Sequence, residues 1–175
     1  MIIGLPTQNE LPKYFDRYIN LVFTDDLITG LEDEMADTIK LVLGASPDLY
    51  EYRYADDKWN LKEIMLHLID CERIFNYRAL RFARNDKTEL SGFEENDYVI
   101  ASKADQRTIQ SILDEYESVR NSTIQLFSNF TRDMLNQKGT ANGVEVSVRA
   151  LGFTILGHEI HHKKVFEERY IKAFN

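Results

Sequence analysis

The sequence predicts an all-α protein, a four-helix bundle preceded by a short N-terminal helix, and three observations predict it. Four stretches of about 20 to 26 residues repeat apolar side chains at helical spacing. The residues that punctuate β folds are scarce, with 8 Gly and 3 Pro in 175 residues. The connectors are short to medium and hold no repeat or low-complexity tract, so residues 1–175 read as one domain large enough to bury a core.

The elements follow in order. PKYFDRYINLVF, after Leu11, reads as the short leading helix. From Asp25 to Ser46, Leu27, Leu31, Met35, Ile39, Val42 and Leu43 lie at helical spacing, and Gly44 and Pro47 end the helix. SPDLYEYRYADDKW is a polar-aromatic connector. The next helix begins with Asn60 as N-cap and Glu63 three residues on, a capping-box pattern, and runs to Arg84 without Gly or Pro. Arg78, Arg81 and Arg84 suit the negative end of its dipole. The loop NDKTELSGFEENDYVIASKAD has room for a short helical piece. A third helix spans Asp105 to Asn129, with Ile109, Ile112, Tyr116, Val119, Thr123 and Phe127 on one side. A connector with the QKGTANGVEV turn and a few extended residues leads to a fourth helix from Ser147 to Lys172.

Composition narrows the function classes. A net charge of −8 and a pI near 5.0 argue against nucleic acid, which needs a basic surface to displace counterions from phosphates. The N-terminal MIIGLPTQNELPKYF has neither the basic leader nor the apolar run of a signal peptide, and no stretch of about 18 apolar residues occurs, so no membrane is expected. The single cysteine, Cys71, forbids an internal disulfide and fits a reducing compartment. A cytoplasmic protein is expected.

The chemistry-bearing residues are the histidines. All four lie in two short stretches of the second and fourth helices. Val148, Leu151, Ile155, His158, His162 and Val165 advance by threes and fours, the seam a bundle helix turns to its core. His158 and His162 therefore stand where leucines are expected. Ile64, His67, Cys71 and Ile74 repeat the pattern on the second helix. An unpartnered buried polar nitrogen costs about 1 to 3 kcal/mol. A divalent metal removes that cost, because imidazoles one turn apart, about 6 Å of rise, can converge on one ion and a third can join from a facing helix. Three protein ligands with an open position is the pattern of catalytic zinc. His161 belongs at the rim, beside the ligands. Cys71 fits a small buried apolar side chain better than a fourth ligand. Asp70 fits equally a carboxylate orienting a ligand imidazole or an exposed helix charge. The arginines from Arg73 to Arg84 fit helix-end charges better than an anion site.

GHEIHH, residues 157–162, contains the H-E-x-x-H string of zinc proteases. The long zincin form wants a glycine at position 165 and a histidine at 168, where this chain has Val165 and Glu168. The third histidine lies far upstream on another helix, no strand is expected beside the site, and Glu159 is turned about 100° from His158. A protease is not expected, and no general base is identifiable.

The stretches YRYADDKWNLKEIMLHLIDCERIFNYRALRFARND, LSGFEENDYV and GTANGVEVSVRALGFTILGHEIHHKKVFEERY closely resemble the DinB-like superfamily, nearest its DinB-2 group, over nearly the whole chain from about residue 12. The resemblance implies an up-down-down-up bundle, often dimeric, with a three-histidine site for zinc or nickel. The histidine of HLID maps onto His67, and the H-x-x-x-H pair of the last helix onto His158 and His162. Characterised relatives transfer a low-molecular-weight thiol to electrophiles or isomerise a substrate through a thiol adduct, and others are described as metal-dependent hydrolases. The expectation is a metal-dependent enzyme and homodimer acting on a small-molecule substrate, in which the metal activates a thiol or water. The rival expectation is a non-enzymatic bundle whose metal is structural or absent and which binds a partner.

Overall fold

A computed structural model describes residues 1–172. Its frame is four long helices, α2 (Leu27–Gly44), α3 (Leu61–Ala83), α5 (Ile109–Ser128) and α7 (Val148–Phe166), with short helices α1 (Asp16–Ile19), α4 (Glu95–Ser102) and α6 (Arg132–Asn136). One hairpin, β1 (Lys138–Ala141) and β2 (Val144–Ser147), precedes α7. A π-helical turn, Glu167–Ile171, extends α7.

The local signals act as the sequence predicts. Asn60 Oδ1 accepts from the Glu63 amide at 3.0 Å, and Glu63 Oε2 accepts from the Asn60 amide at 2.8 Å, closing the capping box of α3. Ser147 caps α7 by accepting from the Ala150 amide. The third bundle helix starts later than Asp105: Ala104–Gln106 form a 3-10 turn, and Thr108 caps α5. The leading helix is also shorter, one 3-10 turn at Lys13–Phe15 followed by α1. Asn142 and Gly143, both at positive φ, make the hairpin turn that an Asn-Gly pair favours.

Helix α3 packs on α5 and α7, and α2 packs on the same two, so α2 lies diagonally from α3 and α5 from α7. Directions follow from residue pairs. Leu27 abuts Gly152 and Gly30 abuts Leu156, so α2 and α7 run parallel. Arg73 pairs with Glu115 and Asn76 with Thr123, so α3 and α5 run parallel. His67 meets His162 while Phe75 meets His158, so α3 and α7 are antiparallel. The order is up-down-down-up. Parallel neighbours α3 and α5 require the chain to return along the bundle, which segment 84–108 does.

The apolar core falls into two clusters. One gathers Leu27, Leu31, Cys71, Phe75, Phe82, Phe127, Leu151, Phe153, Ile155 and their neighbours, and the other gathers Val42, Met65, Ile69, Ile112, Tyr116, Val119 and Phe166. Between them lies a buried polar layer. Arg120 Nε and Nη2 bond Glu72 at 2.9 and 2.8 Å, Nη2 also bonds Glu159, and Nη1 reaches the Leu31 carbonyl at 3.2 Å. Thr38 donates to Glu159 at 2.6 Å, Tyr116 donates to the same carboxylate, and Thr123 donates to Glu72. All four bundle helices contribute.

Removing one member of a buried ion pair leaves an uncompensated charge and costs about 3 to 5 kcal/mol. Arg120→Met is therefore expected to lower unfolding free energy by about that amount, read from the urea midpoint. A loss below about 1 kcal/mol, the range of an exposed pair, contradicts the role assigned to the layer.

Candidate functional site

The site begins with the register of α7 against α3. Glu159 is held by Arg120, and His158, the preceding residue, turns about 100° away towards α3. There His158 Nε2 lies 3.2 Å from His67 Nε2 and 3.1 Å from His162 Nε2. Cys71, one turn beyond His67, places Sγ 3.6 Å from His67 Nδ1 and 3.7 Å from Nε2. His67, Cys71 and His158 each offer a ligand atom, all within 4.8 Å of one another.

The N-terminal segment completes the wall. Glu10 accepts from Arg149 Nε at 3.0 Å and Nη2 at 2.9 Å, and from Ser147 Oγ at 2.9 Å, which pins the segment to the start of α7. Burial acts to raise the Glu10 pKa, but these bonds hold it below the usual carboxylate value. Gly157 then lets α1 come close: a Cβ there would meet the Tyr18 carbonyl oxygen at 2.3 Å. Tyr18 consequently packs edge-on to His158 and His161, with ring centroids 5.1 and 5.6 Å away. On the other side Trp59 lies 4.7 Å from His67 and nearly parallel to His162 at 6.4 Å. A cavity of about 470 Å³ opens beside the imidazoles, walled by Tyr18, Trp59, Phe75, Phe93 and the hairpin residue Asn142.

Burial controls the electrostatics. It lowers the His67 pKa to about 4 and that of His162 to about 3, and lowers His158 well below its usual value, with the neighbouring imidazoles adding to the effect at His158 and His162. All three rings are neutral near pH 7, the form that ligates a metal. Burial also pushes the Cys71 thiol up to about 12, with the Glu95 and Asp70 charges adding.

The donor set can be tested against a cation on its own geometry. A ring nitrogen either donates or accepts one in-plane hydrogen bond, so His158 Nε2 cannot satisfy two nitrogen neighbours at 3.1 and 3.2 Å. Two nitrogens about 2.0 to 2.1 Å from one tetrahedral ion stand about 3.3 to 3.4 Å apart, close to the separations seen. The donor set fits a divalent metal: His67, His158 and Cys71 offer ligand atoms within 4.8 Å of one another, and His162 adds a nitrogen 3.1 Å from His158 Nε2.

The other expected residues divide. His161 sits at the rim, half-buried, against Tyr18 and His162. Asp70 is half-buried but makes no hydrogen bond to any imidazole among the described residues, and its charged neighbours are Arg73 and Glu115. It lies on the side of α3 towards α5. Glu159 is turned off the site, as its angle predicts, yet it is buried in the Arg120 layer. It is not available as the base of a zincin. Cys71 is buried, as expected, with its sulfur among the imidazole nitrogens.

The sequence profile of the DinB superfamily matches residues 31–165. Two solved structures from Bacillus subtilis share the fold. YfiT, described as a probable metal-dependent hydrolase with an unusual four-helix bundle topology, aligns over 97% of this chain and 94% of its own at 13% identity, with a TM-score of 0.75. A DinB-like protein, YjoA, aligns over 85% of this chain and 92% of its own at 19% identity, with a TM-score of 0.60. No curated protein sequence matches the chain. No helix among the described residues is long and apolar enough to cross a membrane.

The lowered histidine pKa values carry a sign. Unfolded, these imidazoles take up protons near pH 6.5, while folded they resist until about pH 4 at His67 and about pH 3 at His162. The unfolded state binds more protons in that window, so stability of metal-free protein falls as pH drops from 6.5 towards 4. A His67→Leu, His162→Leu variant is expected to lose less stability between pH 7 and pH 4.5, measured by urea midpoints. Equal losses in both proteins contradict the neutral buried imidazoles.

Proposed function

The chain belongs to the DinB superfamily, and on that premise we propose that it is a metal-dependent enzyme in which His67, His158 and His162 hold zinc or nickel. One observation carries the reading: the Nε2 atoms of His67 and His162 both converge on His158 Nε2, a pair of contacts that hydrogen bonding cannot satisfy, at the wall of an open cavity. A divalent ion there would lower the pKa of a bound low-molecular-weight thiol or water, so that it attacks a small electrophile as thiolate or hydroxide.

The chain's own residues prepare that chemistry. Burial keeps the three rings neutral, so they present lone pairs without having to lose protons near pH 7. Tyr18, Trp59 and Phe75 put aromatic surface on the cavity wall beside the imidazoles. Tyr18 stays protonated, its pKa raised to about 12 by burial, and its hydroxyl accepts from Arg17 at 2.6 Å. Without a metal, burial keeps the Cys71 thiol protonated, and the cavity lies open beside the histidines. That opening supports the enzyme reading over a structural metal, whose site is closed by four protein ligands.

Zinc- or nickel-loaded protein is expected to turn over at least one pair from a panel of low-molecular-weight thiols with an aryl halide, or an aryl ester with water. Chelation should abolish turnover and leave helical content and the melting temperature largely unchanged. A bundle that melts on chelation, with no turnover in either panel, would favour the structural-metal alternative.

A further inference from the structure

The cavity holds a second polar feature that the metal reading leaves unused. The stripe Ile64, His67, Cys71, Ile74 on α3 continues by four residues to Arg78, which lines the same cavity as the histidines. Arg78 is 7% exposed. Among the described residues it has no carboxylate within ion-pair distance, in contrast to the more deeply buried Arg120, which has two. Among these residues its hydrogen bond runs from Nη2 to the Ser91 carbonyl at 2.9 Å. Phe75 and Phe93 flank the guanidinium, each ring centroid 5.9 Å away.

A guanidinium remains charged at any pH relevant to folding, so its burial without a counter-ion is costly unless an anion joins it. Burial lowers the Arg78 pKa, and no carboxylate opposes the effect. Among the described residues its remaining N–H groups have no hydrogen-bond partner, and they border the cavity. Helical side chains lean towards the N-terminus, which brings the Arg78 head back towards Cys71 and the imidazoles. The cavity thus presents both a fork for an anion and the converging nitrogens, with aromatic residues on its wall.

Resting on the metal reading for its reacting end, we propose that Arg78 is the anion-binding residue of this cavity and that the substrate or cosubstrate carries a carboxylate seated on it. A carboxylate matches the single charge and the planar fork. Glu95, also on the cavity wall, opposes a dianion such as a phosphate monoester.

Trp59, the sole tryptophan, lines the cavity and reports binding by fluorescence. The probes are 3-phenylpropionate, 3-phenylpropionamide and phenyl phosphate, titrated into chelator-treated, metal-free protein. The acid is expected to bind about 10-fold or more tighter than the amide, the difference a charged hydrogen bond makes. In Arg78→Met that preference should fall below about 2-fold, Arg78→Lys should keep part of it, and Arg17→Met, at the rim, should keep it whole. Equal binding of acid and amide by the unaltered protein, binding of neither, tighter binding of phenyl phosphate, or loss of preference in Arg17→Met and not Arg78→Met overturns the proposal. Equal binding by the unaltered protein decides against it even if no variant folds. A zinc titration of the same samples separates the two readings. Zinc binding without carboxylate preference sinks the Arg78 proposal alone, and carboxylate preference without zinc binding supports Arg78 and sinks the metal reading.

Discussion

The Arg120 layer is the constraint on which the rest of the structure depends. One buried guanidinium bonds carboxylates from α3 and α7 and a carbonyl from α2, so the four bundle helices meet at one atom group on α5. With two carboxylates on one arginine, the layer is an expensive object, and a buried ion pair adds little net stability over apolar packing. What it supplies is register. Sliding α7 by one residue would take Glu159 away from Arg120 and bury unpaired charge on both. Because His158 adjoins Glu159 and Cys71 adjoins Glu72, fixing the layer fixes the site. The polar layer and the imidazoles lie together where the two apolar clusters meet.

The same constraint explains why an H-E-x-x-H string occurs here without a zincin. In that motif the glutamate shares the metal's environment. Here the histidines of the string face α3 and the cavity, while its glutamate faces α5 and accepts from Arg120, Tyr116 and Thr38. Gly157, just before the string, serves a third neighbour by admitting α1 against α7. Gly157, His158 and Glu159 answer in turn to α1, α3 and α5, and α7 is buried nearly all round from Val148 to Glu159.

Much of this was legible in the sequence because it is local. The capping box of α3, the Ser147 start of α7, the helical piece before Lys103 and the seam positions of His67, His158 and His162 depend on spacings within one helix. The Arg120 layer does not: Glu72 and Glu159 lie 48 and 39 residues from their partner. A signal was present, since Tyr116, Arg120, Thr123 and Phe127 step by four, three and four, and Met65, Leu68, Glu72, Phe75 and Ala79 form a similar seam. A charge in an amphipathic helix is ordinarily solvated, and only the facing helix shows that it is paired. The roles of Cys71 and Arg78, both weighed from the sequence, stayed open there for a related reason. Their meaning depends on the cavity made by α1, the α3–α4 loop and the hairpin, none of which a helical period describes. Asp70 could not be placed by angle alone, and α5 proved to be its neighbour.

The central claim is that His67, His158 and His162 form a metal site. Elemental analysis of untagged protein beside a His158→Ala, His162→Ala variant and a Cys71→Ala variant tests it most directly. The account predicts about one equivalent of zinc or nickel in the unaltered protein and in Cys71→Ala, and none in the double histidine variant. Folded protein that takes up no metal, even after zinc or nickel is added, would contradict it and leave the three imidazoles as packing.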